Sequence, residues 1–472
     1  MIMATAVRVV GTAALVVVLA GGAYATADAY DAVPGLVTLE PSPAPPAPFP
    51  TAPGATDPGD PAAALPGLDA QAPVPSSAAL QGLVDGLVAD PRMGPSVGVV
   101  VADQLTGEVL ASHLADQGRT PASTAKLVTA VAALQTLGPD VTLPTRVVQP
   151  DGERVVLVGG GDMMLAAGEG DPDATVGHAG LADLAAQVAR ELALQGRTSV
   201  ALGFDDSLFT GPSLSPAWNP ADVSAGFAAP VTALAVDIAK MRDGEYPPRW
   251  PDPSLAAAKT FAQRLTEAGI AVTGTPTRVT ASPGATVLGE VRSAPLEDVV
   301  HYFLDTSDNS ITEVVARLVA IDAGLPASFE GGAQAVLHAV GTLGVDTAGA
   351  HLSDASGLGS GSVLSPQLLL GLLRASTDPA NPGLRDVATG MPVAGLTGTL
   401  AERYTTSPAR GLARAKTGSL PGVTALAGTV LDADRRQLVF VVLADQTPAA
   451  GQWGPRAAID GFVTSLSGCG CG

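Results

Sequence analysis

Pro121-Ala122-Ser123-Thr124-Ala125-Lys126 opens an apolar run that continues through Leu127 and Val128 to Leu134 and stops at Gly138. The pattern predicts a helix from about Ser123 to Leu137 with glycine as its terminator. A spacing of three puts the Ser123 hydroxyl and the Lys126 amine on one helical face, about one turn apart. A serine hydroxyl is a weak nucleophile until a base removes its proton, and a lysine whose pKa is lowered by burial and nearby cations is such a base. The partial positive charge of the helix N-terminus favours the developing oxyanion. The same six residues also read as an ordinary serine cap with a lysine in the first turn, and the motif by itself does not choose between the two.

Two further clusters lie downstream. Ser307-Asp308-Asn309 separates the amphipathic run Val299–Leu304 from a second helical stretch, Ile311–Val319. Its ordinary reading is a helix-to-helix turn, since Ser, Asp and Asn are the preferred turn and cap residues. Lys416-Thr417-Gly418-Ser419 stands just before an expected strand, where a cation, two hydroxyls and an open glycine suit a carboxylate lying along the edge. Its ordinary reading is an exposed strand start with a surface lysine. Lysine usage separates these readings: of 25 basic residues only Lys126, Lys240, Lys259 and Lys416 are lysine, so the chain uses arginine wherever positive charge suffices. Two of those four sit inside the clusters. Arginine does not deprotonate in a protein and lysine does, so Lys126 is where a base requires the rarer residue.

Around these clusters the chain divides by composition. Residues 1–29 carry Arg8, an uncharged run from Val9 to Gly22 and small residues at Ala23-Tyr24-Ala25, which read as an export signal, either cleaved or kept as an N-terminal membrane anchor. Residues 30–75 form a Pro-rich linker that cannot bury a core. Globular sequence follows over 76–145 and 290–468, interrupted at 146–289 by a stretch of different texture. There strand candidates (Val155–Val158, Val200–Phe204) alternate with helical ones (Leu181–Leu194, Leu255–Ala268), which predicts one inserted domain. A hairpin is expected over Val97–Ala102 and Glu108–Ser112, and an antiparallel pair over Thr424–Leu431 and Gln437–Ala444. The fold class is therefore mixed α/β (α+β), and residues 469–472 are a tail.

Composition excludes several functions. Aromatics are 4% of the residues and the formal charge is -20, so single-stranded nucleic-acid platforms and phosphate-backbone binding are not expected. The two cysteines, Cys469 and Cys471, lie at the extreme tail, too few for a disulfide framework or a four-ligand zinc site. The five histidines are scattered without a His-Glu-x-x-His frame. No metal or cofactor is expected. Gly159-Gly160-Gly161 lacks the Lys-Ser/Thr of a phosphate loop and reads as a turn at a strand end.

The order Ser-x-x-Lys, Ser-x-Asn, Lys-Thr-Gly is that of penicillin-binding proteins and serine β-lactamases. The chain resembles the low-molecular-mass penicillin-binding proteins that act as D-alanyl-D-alanine carboxypeptidases and endopeptidases, in the class C subgroup with an inserted domain. Further landmarks of that family are Leu157-Val158-Gly159-Gly160-Gly161-Asp162, Phe204–Phe209, Asp354–Leu358, Pro392–Leu400 and Ala415–Gly422. The resemblance implies a transpeptidase-like fold, an antiparallel sheet flanked by helices, with one inserted domain. It implies that Ser123 is acylated, Lys126 is its base and Ser307 relays a proton to the leaving amine. Asn309 would hold the substrate backbone, and Lys416, Thr417 and Ser419, with the open Gly418 between them, would hold the terminal carboxylate. The backbone amides of Ser123 and Ser419 would form the oxyanion hole. Peptidoglycan stem peptides are the implied substrate, β-lactams the implied covalent inhibitors, and the outside of the cytoplasmic membrane the implied location. Gly359-Ser360 stand where many members have an arginine thought to bind the diaminopimelate side chain.

Two rivals share these motifs. A serine β-lactamase hydrolyses its acyl-enzyme quickly, and one type uses a glutamate four residues ahead of an asparagine. Here the positions four ahead of the three asparagines are Ser215, Asp305 and Thr377, so that route is absent. A wall-binding or penicillin-sensing scaffold would keep the fold without turnover, but its usual sign, a broken motif, is missing.

Overall fold

The computed structural model describes residues 21–30, 32–33, 69–150, 152 and 154–470. The chain divides into two units, Met1–Pro66 and Gly67–Gly472. In the first, residues 21–29 are helical; most of the expected signal or anchor and of the Pro-rich linker lies outside the described residues, as does Cys471. Among the described residues no helix is long and apolar enough to cross a membrane.

The second unit is built on a five-stranded antiparallel sheet in the order β10-β11-β12-β1-β2. Its strands are β1 Val97–Asp103, β2 Val109–His113, β10 Ala413–Leu420, β11 Val423–Leu431 and β12 Gln437–Ala444. Val97 pairs with Ala444 and Asp103 with Leu438, so the first and last strands of this unit lie side by side in the sheet. Every residue of β1 is buried, because the sheet is covered on both faces. Val97, Val99 and Val101 point into one core, with Leu80, Val84 and Leu87 of α1 (Ser77–Val88) and Ile459, Phe462 and Val463 of α9 (Trp453–Ser467). Val100 and Ala102 point into the other, larger core. A strand wet on one face would alternate; these read as continuous apolar runs because neither face meets water.

The larger core is helical. It packs α2 (Lys126–Thr136), α5 (Leu296–Thr306), α6 (Asn309–Asp322), α7 (Phe329–Thr342) and α8 (Pro366–Thr377) on the sheet. Nine consecutive residues of α2, from Lys126 to Leu134, are buried, so this helix runs through the protein rather than over it. α5 shows the opposite pattern: Leu296, Val299, Val300, Phe303 and Leu304 form one buried stripe, with Glu297 and Asp298 in the first turn where the helix dipole favours them.

Between α2 and α5 the chain builds a second five-stranded sheet, order β8-β6-β4-β3-β9. Its strands are β3 Pro144–Gln149, β4 Arg154–Gly159, β6 Ser199–Asp205, β8 Ala271–Arg278 and β9 Thr286–Arg292. The pairs β4–β6 and β6–β8 are parallel and the rest antiparallel, as the alternation of strands and helices in this stretch predicts. It has its own core against α3 (Leu181–Leu194) and α4 (Pro253–Glu267). The strands reach Pro144 and Arg292, a little outside the expected limits of 146 and 289. Part of the stretch packs elsewhere: Met163, Met164, Trp218 and several residues of 228–239 join the helical core of the first sheet. A short parallel pair, β5 (Asp162–Leu165) with β7 (Leu234–Val236), joins the two regions. Gly159 ends β4 and Gly160-Gly161 turn the chain into β5, with Gly161 at a φ of 103°.

Candidate active site

Ser123 does not begin an α-helix. It sits in a 3-10 turn, Ala122–Ala125, with α2 starting at Lys126, a tighter first turn than the sequence suggests. No side chain caps either segment, so the ordinary role of a serine at this place, capping the helix, is not what the hydroxyl does. Thr124 anchors the turn instead, its Oγ1 donating to the Pro121 carbonyl at 2.7 Å. Ala122 is held at φ 46°, a left-handed conformation that a residue with a Cβ adopts at a cost of roughly 1–2 kcal/mol. Two glycines permit the packing that imposes it. A Cβ on Gly357 would lie 2.0 Å from the Ala122 carbonyl oxygen, and one on Gly418 would lie 2.7 Å from that of Pro121. The nucleophile turn is thus gripped between the 354–359 loop and β10.

Lys126 is fully buried, and its Nζ reaches three oxygens: Ser123 Oγ at 3.0 Å, Asn309 Oδ1 at 2.7 Å and the Ser356 carbonyl at 2.9 Å. A neutral amine has two N–H donors and one lone pair. Asn309 Oδ1 and the Ser356 carbonyl can only accept, so they take the two N–H groups and leave the lone pair for the Ser123 hydroxyl. Burial lowers the Lys126 pKa from 10.5 to about 8, opposed by the charges of Asp354, Asp308 and Glu313.

The carbonyl of Ser356 is held in place by two buried acidic side chains, Glu313 and Asp354. Glu313, on α6, accepts from the backbone N–H of Ser356 at 2.8 Å and of Ala355 at 3.2 Å. Asp354 accepts from the Gly357 and Gly359 amides, each at 2.6 Å, and from Trp218 Nε1 at 2.7 Å. Burial, and then the charge of Asp354, push the Glu313 carboxyl up to about 8. Asp354 lies in the quoted stretch Asp354–Leu358, but Glu313 looks like any acidic residue on a helix. Only burial distinguishes it.

Ser307-Asp308-Asn309 is a helix-to-helix turn and more. Asp308 does the ordinary work, capping α6 through Oδ1 to the Ile311 N–H at 2.8 Å. Ser307 closes α5 at φ 60°, which turns its hydroxyl to the Lys416 Nζ at 2.9 Å. Asn309 is held from both ends of its amide, since its Nδ2 donates to the Phe227 carbonyl at 2.8 Å while Oδ1 meets Lys126.

Lys416-Thr417-Gly418-Ser419 lies within a strand, β10, not ahead of one, and β10 is the edge of its sheet. Lys416 is fully buried rather than exposed; its Nζ donates to Ser307 and, at 3.2 Å, to the Thr417 carbonyl. Burial and the charge of Lys126 hold its pKa well below the ordinary value. Thr417 Oγ1 shares a 2.9 Å hydrogen bond with Thr399 Oγ1, and Ser419 Oγ accepts from Arg456 Nη2 at 2.9 Å. Thr399 falls in a quoted stretch; Arg456 left no mark in the sequence.

Ser123, Ser307, Asn309, Thr417, Ser419 and Arg456 line one cleft of about 830 Å³, whereas Lys126 and Lys416 lie behind its wall. The arrangement offers two hydroxyls, each backed by a buried amine, beside the outer strand of the sheet. That is the equipment for acyl transfer through a serine. Among the described residues no His, Cys, Asp and Glu cluster could hold a metal ion.

The model of the D-Ala-D-Ala carboxypeptidase 3 (S13) family matches this chain over residues 80–249 and 245–466. Carboxypeptidase Rv3627c of Mycobacterium tuberculosis is 36% identical over 410 residues, 85% of this chain and 86% of that protein. Carboxypeptidase DacB of Mycolicibacterium smegmatis is 36% identical over 481 residues, 99% of this chain and 97% of that one. The crystal structure of penicillin binding protein 4 (dacB) from Haemophilus influenzae covers 81% of this chain and 98% of its own, with a TM-score of 0.67 at 22% identity, a likeness of fold. A serine flanked by a buried amine, the antiparallel sheet with its inserted second sheet, and matches along nearly the whole globular unit agree: the chain belongs to the D-Ala-D-Ala carboxypeptidase 3 (S13) family of serine-type hydrolases.

Proposed function

We propose that this protein removes the terminal D-alanine from peptidoglycan stem peptides outside the cytoplasm, through an acyl-enzyme on Ser123. One observation carries the assignment of roles: the Lys126 amine, fully buried and with its pKa lowered to about 8, lies 3.0 Å from the Ser123 hydroxyl. Lys126 takes the hydroxyl proton as Ser123 attacks the carbonyl of the penultimate D-alanine. The oxyanion is held by the backbone amides of Ser123 and Ser419, the latter on the edge strand β10. Collapse breaks the peptide bond, and the departing D-alanine amine takes a proton relayed by Ser307, whose hydroxyl is backed by Lys416. Water then hydrolyses the ester, releasing the shortened peptide and the free Ser123 hydroxyl. Asn309 holds the substrate backbone, and Thr417 and Ser419 hold the terminal carboxylate, with Gly418 giving the strand its close approach to the Ser123 turn.

A β-lactam enters by the same attack, but its leaving nitrogen stays tethered to the acyl group, so the ester persists. The structural roles follow: residues 76–145 and 290–468 supply the chemistry, and 146–289 the inserted domain. Residues 1–29 export the chain, and an anchor there with the linker 30–75 would hold it near the outer face of the cytoplasmic membrane. Labelling with fluorescent penicillin, beside release of D-alanine from a pentapeptide, tests the proposal. Wild type is expected to be labelled one to one and to release D-alanine, and Ser123→Ala to do neither. Labelling of Ser123→Ala, or rapid catalytic hydrolysis of nitrocefin by wild type, would contradict it.

A further inference from the structure

The cleft contains a cation that these steps leave without a task. Four basic residues line it: Lys240, Arg249, Arg403 and Arg456. Lys240 pairs with Asp237. Arg249 is spent on the carbonyls of Gly226 and Ile238. Arg403 pairs through both oxygens with Asp460. Arg456 forms no ion pair among the described residues; its partner is a neutral hydroxyl, Ser419 Oγ, at 2.9 Å. Its position is fixed by the start of its helix: Gln452, next to α9, donates to the Leu420 carbonyl at 2.7 Å and accepts from Thr424 Oγ1, which ties α9 to the β10–β11 turn.

Lys416, the cation that the sequence offered to a carboxylate, is buried behind the wall and occupied by Ser307 and the Thr417 carbonyl. The positive charge open to the cleft at this end of β10 is therefore that of Arg456. A guanidinium carries five N–H donors in a planar fork, so one can hold the Ser419 hydroxyl while others meet a carboxylate. A hydroxyl can bond either a carboxylate or a carboxamide and favours the carboxylate modestly; a guanidinium adds a full positive charge and a planar fork, which favours the carboxylate further.

We propose that Arg456 is the specificity-determining residue for a free C-terminal carboxylate, setting the Ser419 hydroxyl with one N–H and meeting the carboxylate with the rest. This rests on the proposed carboxypeptidase reading. The test compares two peptides ending in D-Ala-D-Ala, one with a free carboxylate and one with a carboxamide, on full-length wild type, Arg456→Ala and Arg456→Lys, with kcat and KM measured separately. Wild type is expected to prefer the carboxylate. In Arg456→Ala, kcat/KM for the carboxylate peptide is expected to fall about 10- to 100-fold, the scale of a charge-assisted hydrogen bond, and for the carboxamide by less than about 3-fold. Arg456→Lys, a point charge without the fork, is expected to keep part of the preference; it carries the comparison if the alanine variant does not fold. Hydrolysis of the acyl-enzyme, from which the terminal residue has gone, is expected to keep its rate in every variant. No carboxylate preference in wild type, full preference retained without the arginine, or equal loss on both peptides would overturn the assignment. Ser123→Ala on the same peptides separates this from failure of the underlying reading, which predicts no turnover of either.

Discussion

Raising the pH from about 6 to about 9 takes Lys126 through its titration, and the rate at which a penicillin acylates Ser123 is expected to follow it. Burial lowers the amine from 10.5 to about 8. The protonated amine has no lone pair for the Ser123 proton, so its neutral fraction sets the rate. At pH 7 that fraction is roughly one in ten for a pKa near 8 and roughly one in three thousand for an unperturbed lysine, so burial raises the supply of base about 300-fold. The rate is expected to rise about tenfold per pH unit below 8 and to flatten above it. Lys416 feels the Lys126 charge, so the midpoint belongs to the pair rather than to one amine. The assay is the second-order rate of fluorescent penicillin labelling at sub-saturating concentration; the penicillin carboxylate does not titrate in this range. Lys126→Ala is expected to slow labelling by about 10²- to 10⁴-fold and to remove the rising limb. A profile flat from about pH 6 to 9, or a rise that continues unbroken toward the pKa of a free lysine, would refute the reasoning.

Three further outcomes follow from the packing around the site. Gly418→Ala places a Cβ 2.7 Å from the Pro121 carbonyl and 2.9 Å from the Ala425 Cβ; it is expected to cost about 1–3 kcal/mol in urea unfolding and to slow labelling, and an unperturbed variant would mean that β10 does not press on the Ser123 turn. Glu313→Gln turns an amide N–H₂, which cannot accept, toward one of the two backbone N–H groups that now donate to the Glu313 oxygens. A loss of about 1–3 kcal/mol with slower acylation is expected; unchanged labelling would remove Glu313 from the support of the Ser356 carbonyl. Asp162 is fully buried, and desolvation pushes its carboxyl up to about 7 against one N–H from Met164. A folded pKa above the ordinary 3.8 means stability present below that pH and lost as pH rises through 7, by about 4 kcal/mol. Asp162→Asn, which never ionises, is expected to lose less stability than wild type between about pH 4 and 8 by calorimetry; parallel curves would count against a buried titration at Asp162.

The site is legible in the sequence to the extent that its chemistry needs particular residue types at short range. Ser123 and Lys126 meet because one turn separates them, and lysine stands where arginine would not serve as a base. The hairpins and the α3 and α4 stripes follow from local periodicity. Tertiary structure decided the rest. That Lys416 faces Ser307 rather than the cleft depends on β10 running along the edge of the sheet behind the Ser123 turn, and no local pattern encodes that placement. Glu313, Asp354 and Arg456 are likewise ordinary acidic and basic residues until the fold buries the first two and sets the third in the cleft against a neutral hydroxyl. Sequence spacing determines which atoms can meet within a turn; burial and partnership, which set their protonation and their task, arise only when segments some 40 to 230 residues apart pack together.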